Sequence, residues 1–154
     1  MTLLFLLLSS VSFAEELYEK YTWETSPDIY ICPDSTVTEE RVKEAIKYWQ
    51  GKLTWDFSEK SIKKIDSCVR KDKYNTIYIT EDYQTNIFSE SLSVANLSFY
   101  YYESNPSKKY AEKAIIRLSP SYAGNDIVFY HEFGHALGLG HSDHEIMRSH
   151  PSLF

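Results

Sequence analysis

The sequence predicts an α+β domain in which one twisted, mixed β-sheet carries two main helices, the second near the C-terminus. Three observations predict it. The hydrophobic pattern runs strand, helix, several strands, helix. The first helix has both a start signal and a stop signal. No internal repeat or low-complexity tract interrupts the order, and 154 residues suffice for a single core.

Taken in order, residues 1–14 stand apart from the domain at 15–154. Leu3-Leu4-Phe5-Leu6-Leu7-Leu8 is a short apolar run, and Ser12-Phe13-Ala14 places small residues at the −3 and −1 positions of a cleavage site. These residues read as a secretory signal peptide ending after Ala14, although no Lys or Arg precedes the run. The run is too short to span a bilayer. The expected location is secreted or periplasmic. Residues 15–27 are polar and aromatic and read as a loosely held arm. Asp28–Cys32 reads as a strand stopped by Pro33.

Thr36-Val37-Thr38-Glu39 fits a capping box, and Val42, Ile46 and Trp49 follow at helical spacing, with Gly51 as the stop. A helix over 37–50 results. Leu53, Trp55 and Phe57 alternate as in a half-buried strand. Residues 58–72 read as surface loop or one helical turn, Thr76–Thr80 as a strand, 81–91 as polar loop, and Val94–Tyr102 as a strand. Ser104–Ser107 reads as a turn and Lys113–Leu118 as a further strand. The second helix starts near Asp126. On it, Ile127, Tyr130, Gly134 and Leu137 share one face, and Val128, His131, Glu132 and His135 a neighbouring one.

Composition narrows the function. Formal net charge is −6 with no basic patch evident in sequence, so neither nucleic acid nor, once the leader is removed, a membrane surface is an expected partner. The expected state is a monomer. Cys32 and Cys68 are the two cysteines. In an exported chain an even pair reads most simply as a disulfide, worth about 3–4 kcal/mol on the chain-entropy model, with two free thiols as a competing reading.

The chemistry is concentrated in His131-Glu132-Phe133-Gly134-His135-Ala136-Leu137-Gly138-Leu139-Gly140-His141, with Met147 beyond it. Histidines four residues apart lie one helical turn apart and can face one ion. Gly138 allows the chain to turn where the helix must end, which brings a third histidine back. Three neutral nitrogen ligands with a fourth position open describe one catalytic Zn2+ rather than a structural one. Glu132, beside the first ligand, is placed to act as general base toward the attacking water. All five histidines of the chain lie between positions 131 and 150. His144 and His150 are unassigned: they read as solvated, with assistance to the oxyanion as the competing reading.

The extended motif and Met147 resemble the metzincin clan of zinc metallopeptidases, and the wording from His131 to Ser142 is most similar to matrixins. The resemblance implies a zincin-like fold with the active-site helix near the C-terminus. It implies that Met147 forms a Met-turn below the three histidines. It also implies that Val94, Ala95, Asn96, Leu97, Ser98 and Phe99 form an edge strand that pairs with extended polypeptide substrate. The family allows Cys32 to be read as a latency cap on the metal, but Ile31-Cys32-Pro33-Asp34 does not reproduce the matrixin switch. Three departures stand out. Met147 follows His141 by only six residues, seven residues follow Met147, and no histidine precedes position 131 to build a second zinc site. A truncated C-terminal subdomain is therefore expected. The expected function is a secreted zinc endopeptidase. The alternative is a non-catalytic, zinc-containing peptide-binding module. Asn96-Leu97-Ser98 is a glycosylation sequon.

Overall fold

A computed structural model describes residues 16–55, 57, 61–69, 72–81, 93–102 and 105–149. The expected leader, most of the loop expected at 81–91 and His150 lie outside the described residues. The architecture is α+β, with one sheet and two α-helices among the described residues. The strands are β1 (Thr22–Trp23), β2 (Asp28–Ile31), β3 (Ile62–Lys64), β4 (Thr76–Thr80), β5 (Ser93–Tyr102) and β6 (Asn105–Leu118). The helices are α1 (Glu39–Trp49) and α2 (Asp126–Ala136).

Strands β3, β2, β4 and β6 pair in that order, all parallel. Parallel neighbours need crossovers, and α1 supplies the one between β2 and β3. Every residue of β4 is buried, as befits a central strand. Antiparallel β5 occupies one edge of β6 along most of its length. The other edge of β6 takes β4 and, further along, β1.

Helix α1 is capped by Thr38 rather than Thr36. The Thr38 hydroxyl accepts the Arg41 N–H, and Val42, Ala45, Ile46 and Trp49 form the buried stripe. Thr36 does other work: its N–H and hydroxyl, with the Ser35 hydroxyl, donate to the buried Glu81 carboxylate at the end of β4. Gly51 has φ 78° and ends the helix as expected.

Several expectations are corrected. Leu53, Trp55 and Phe57 form no strand; they follow the Gly51 reversal through turns and bends. Their alternation reflects an irregular segment laid on the core, where Phe57 stands 6.5 Å from Phe133 between ring centroids. The segment read as loop contains β3, a three-residue edge strand whose Lys63 and Lys64 face solvent, so no apolar period announces it. Asn105–Ser107 already belong to β6, eight residues ahead of the expected start at Lys113. That outer part is exposed, so it lacks the one-sided burial that marks a strand in sequence. The arm is not loose: Trp23 is 3% exposed and its indole N–H donates to the Ala136 carbonyl at 3.0 Å.

Cys32 and Cys68 form a disulfide with a Cα–Cα distance of 5.6 Å. It ties the end of β2 to the segment after β3, and it removes both the free-thiol and the metal-cap readings. A disulfide points to an oxidising, extracellular-type environment. No described helix is long and apolar enough to cross a membrane.

Candidate metal centre

Helix α2 is capped at its start by Asn125, whose side-chain oxygen accepts the Val128 N–H at 3.1 Å. Its burial differs from the two-face expectation. Phe129, Phe133, Ala136 and Leu137 make the core face at i, i+4, i+7 and i+8, while Ile127 and Tyr130 are only partly buried. His131 and Glu132 are both buried at 6% exposure. The helix is enclosed on most of its circumference, which allows it to place polar groups in a dry setting.

The exit from α2 sets the third histidine. Gly138 has φ 103°, outside the range an L-residue adopts without strain. Leu139 N–H returns to the Gly134 carbonyl at 3.0 Å, closing the helix end, and the chain reverses toward His141. His131, His135 and His141 are thereby brought together, with one potential ligand atom from each within 4.8 Å of the others.

The protonation pattern is fixed by backbone carbonyls. His131 Nδ1 lies 2.6 Å from the Ile146 carbonyl, and His135 Nδ1 lies 2.7 Å from the Leu139 carbonyl. A carbonyl accepts only, so both Nδ1 atoms carry the proton and both Nε2 atoms present lone pairs. Those Nε2 atoms stand 3.0 Å apart, and His135 Nε2 is 3.3 Å from His141 Nε2. Lone pairs facing each other at such distances repel unless a cation sits among them. These two separations lie within a few tenths of an ångström of about 3.3 Å, the spacing of nitrogen ligands around a tetrahedral ion with bonds of about 2.0–2.1 Å. The three residues therefore fit a metal ion.

Burial lowers the His135 pKa to about 4, with the neighbouring His131 and His141 and Lys20 acting in the same direction against the Leu139 carbonyl. The His131 pKa is also lowered, chiefly by burial and further by His141, against the pull of the Ile146 carbonyl. Both rings stay neutral near pH 7, the form that binds metal. His141 is exposed, so the cluster opens to solvent on that side.

Two segments far apart in sequence hold the cluster. The first is a 3₁₀ turn, Glu145–Met147, which supplies the Ile146 carbonyl to His131. The six-residue step from His141 to Met147 is closed by Ser142 N–H donating to the Met147 carbonyl at 3.0 Å. Met147 is fully buried, and a Cβ on Gly134 would lie 2.6 Å from its Sδ and 2.9 Å from Trp49 Cζ2. Glycine gives the closest approach where α2, α1 and this turn meet. His144 is not solvated, contrary to expectation. It is 9% exposed, accepts the Ile146 N–H on Nδ1 at 3.3 Å and packs 5.6 Å from the Trp49 ring. It caps the turn.

The second segment is the N-terminal arm, which sequence reasoning missed. Lys20 and Tyr21 N–H groups both donate to the Gly138 carbonyl, at 2.9 and 3.0 Å, and Gly140 N–H donates to the Tyr18 carbonyl at 2.8 Å. The alternation of Tyr21 and Trp23 was the available signal.

Val94–Phe99 lie in β5, whose only strand partner among the described residues is β6. This strand lies beside α2, with its outer edge carrying no described strand. Pairings run from Val94 opposite Arg117 to Phe99 opposite Ala111, with a bulge at Glu112. No protein-family model, curated protein or solved structure matches this chain.

Proposed function

We propose that the chain is an exported zinc-dependent endopeptidase of metzincin-like, zincin-type architecture. The observation that carries this reading is the convergence of three histidine nitrogens, two of them locked by backbone carbonyls into the metal-binding tautomer, with buried Glu132 directly after the first. An all-histidine donor set with an open, solvent-facing side suits catalytic zinc better than a closed structural site. Bound zinc supplies Lewis acidity to the attacking water and to the scissile carbonyl.

The chain's own residues do the rest. Glu132 accepts a proton as water adds to the carbonyl carbon, and returns it to the amine nitrogen as the C–N bond breaks. Its buried setting limits competing solvent. The outer edge of β5 offers backbone groups that pair with an extended peptide. Met147 is the Met-turn residue of this reading, its position supported by the Gly134 contact. The disulfide supports export.

The test is cleavage profiling of a broad peptide library by mass spectrometry with zinc-loaded protein. Wild type should cut peptides in a chelator-sensitive manner. Glu132→Gln should retain zinc and lose about 10²–10⁴ in rate, the usual contribution of a general base. If zinc-loaded wild type returns every peptide intact, the site is a peptide-binding or storage centre and the endopeptidase reading fails.

A further inference from the structure

Beside the ligand turn, two lysines converge on a pair of aromatic rings. Tyr21 and Phe99 have centroids 4.8 Å apart, tilted by 35°. Lys109 Nζ stands 5.1 Å from the Phe99 centroid and 5.9 Å from that of Tyr21, and Lys20 Nζ stands 5.4 Å from the same Tyr21 ring. Both lysines are exposed, and Phe99 is 41% exposed, so the rings and the ammonium groups share one accessible surface.

The placement follows from the sheet. Phe99 pairs with Ala111, and the bulge at Glu112 keeps Phe99 and Lys109 on the face that also carries buried Ala111 and Trp23. Lys20 and Tyr21 reach the cluster from the arm, where their backbone N–H groups hold the Gly138 carbonyl midway between His135 and His141. The cluster therefore borders the metal centre and shares β5 with the edge available to substrate.

Its charge is locally positive. The chain carries 22 acidic against 16 basic residues, yet neither Lys20 nor Lys109 has an ion-pair partner among the described residues. The flanking arm carboxylates are turned to other groups: Glu19 accepts from Thr54 N–H and hydroxyl, and Glu24 accepts from the Tyr100 hydroxyl. Two ammonium groups within 6 Å of one ring centroid make a local positive field on an acidic chain, and that field attracts an anion.

We propose that Lys20, Tyr21, Phe99 and Lys109 form a subsite for an aspartate or glutamate side chain of an extended polypeptide, so that the site selects acidic sequences. A carboxylate is drawn to this positive field and can accept from an ammonium group, while its methylene stem lies on the exposed Phe99 ring. A polypeptide is the favoured source because Phe99 belongs to the strand whose edge pairs with peptide backbone, and alternate side chains of such a peptide point to one face. The proposal rests on the peptide-cleft reading of that strand and of the histidines.

The test uses zinc-loaded Glu132→Gln protein and matched libraries of labelled peptides that differ only in Asp/Glu against Asn/Gln, with binding read by fluorescence anisotropy at two salt concentrations. Acidic peptides should bind about five- to tenfold tighter than their amides, and more so at low salt. The preference should vanish in the Lys20→Gln/Lys109→Gln double variant and persist in Lys20→Arg/Lys109→Arg. Equal binding of acid and amide, a preference that survives the double glutamine variant, or tighter binding of a sulfated glycan than of any acidic peptide would overturn it. Wild-type cleavage of the same libraries separates the two readings. Lysine-dependent acid binding without cleavage sinks the endopeptidase and keeps the subsite. Cleavage indifferent to acid or lysine does the reverse.

Discussion

Gly138→Ala isolates what the turn between the second and third histidines contributes. Two costs are combined at this position. An L-residue held at positive φ is strained by about 1–2 kcal/mol, and Gly138 has φ 103°. Beyond that, a Cβ would overlap the Tyr21 carbonyl oxygen and lie 2.9 Å from its carbonyl carbon. Backbone cannot swing aside as a side-chain tip can, so the arm must lift. Lifting it breaks the Lys20 and Tyr21 hydrogen bonds to the Gly138 carbonyl and the Gly140 bond to Tyr18, each worth about 1 kcal/mol net. The total is about 4–5 kcal/mol. Gly51→Ala is the control, because Gly51 also has positive φ but nothing within 4 Å of its Cβ. It should cost only the strain. Urea unfolding of the metal-free proteins should therefore place Gly138→Ala about 3 kcal/mol below Gly51→Ala. Zinc affinity should also fall tenfold or more in Gly138→Ala alone, since the Leu139 carbonyl that orients His135 sits on the turn that the lifted arm no longer clamps. Equal destabilisation of the two variants, within about 1 kcal/mol, would refute the idea that the arm clamps this turn.

Gly134→Ala should overpack the meeting point of α2, Trp49 and Met147. About 1–3 kcal/mol of strain is partly offset by about 1 kcal/mol of helix propensity, and chelator competition should show about tenfold weaker zinc binding as the Ile146 carbonyl shifts from His131. Replacing Cys32 and Cys68 together by serine opens a cross-link between residues 36 apart and should cost about 3–4 kcal/mol in denaturant unfolding under oxidising conditions. The metal-free protein should lose stability in acid. The His135 pKa is 6.5 unfolded and about 4 folded, so the unfolded chain binds more protons between those values. Stabilisation is complete above pH 6.5 and lost as pH falls toward 4, by on the order of 3 kcal/mol, with His131 adding in the same direction. A flat unfolding free energy from pH 7 to 4 would contradict it.

The parts legible in sequence are those specified by local chemistry. Val42, Ile46 and Trp49 announce α1 because their spacing is the helix period, and Gly51 and Gly138 announce chain reversals because few other residues accept positive φ. His131, His135 and His141 are readable because four residues of helix and one reversal determine where they meet. The parts that escaped depend on distant partners. Strand β3 exists because β2 offers an edge, not because Ile62–Lys64 has a strand pattern. The outer half of β6 forms because β5 pairs with it. His144 looks like a surface residue until Trp49 and Tyr48 are brought beside it by α1 packing on α2.

The same division runs through the candidate metal centre. The motif supplies the nitrogens, but it does not orient them; that is done by two carbonyls and by the arm. Ile146 holds His131 from fifteen residues downstream, and Leu139 holds His135 from within a turn that the arm clamps through Gly138 and Gly140. Trp23 adds a third tie at the Ala136 carbonyl, the last residue of α2. An arm that fixes the exit of the ligand helix also delivers Lys20 and Tyr21 to the rim of the centre, so ligand geometry and the charge of the neighbouring surface are set by one segment. Arm substitutions that leave its backbone hydrogen bonds intact should then alter peptide preference without altering metal affinity, whereas those that lift it, as Gly138→Ala does from the other side, should alter both.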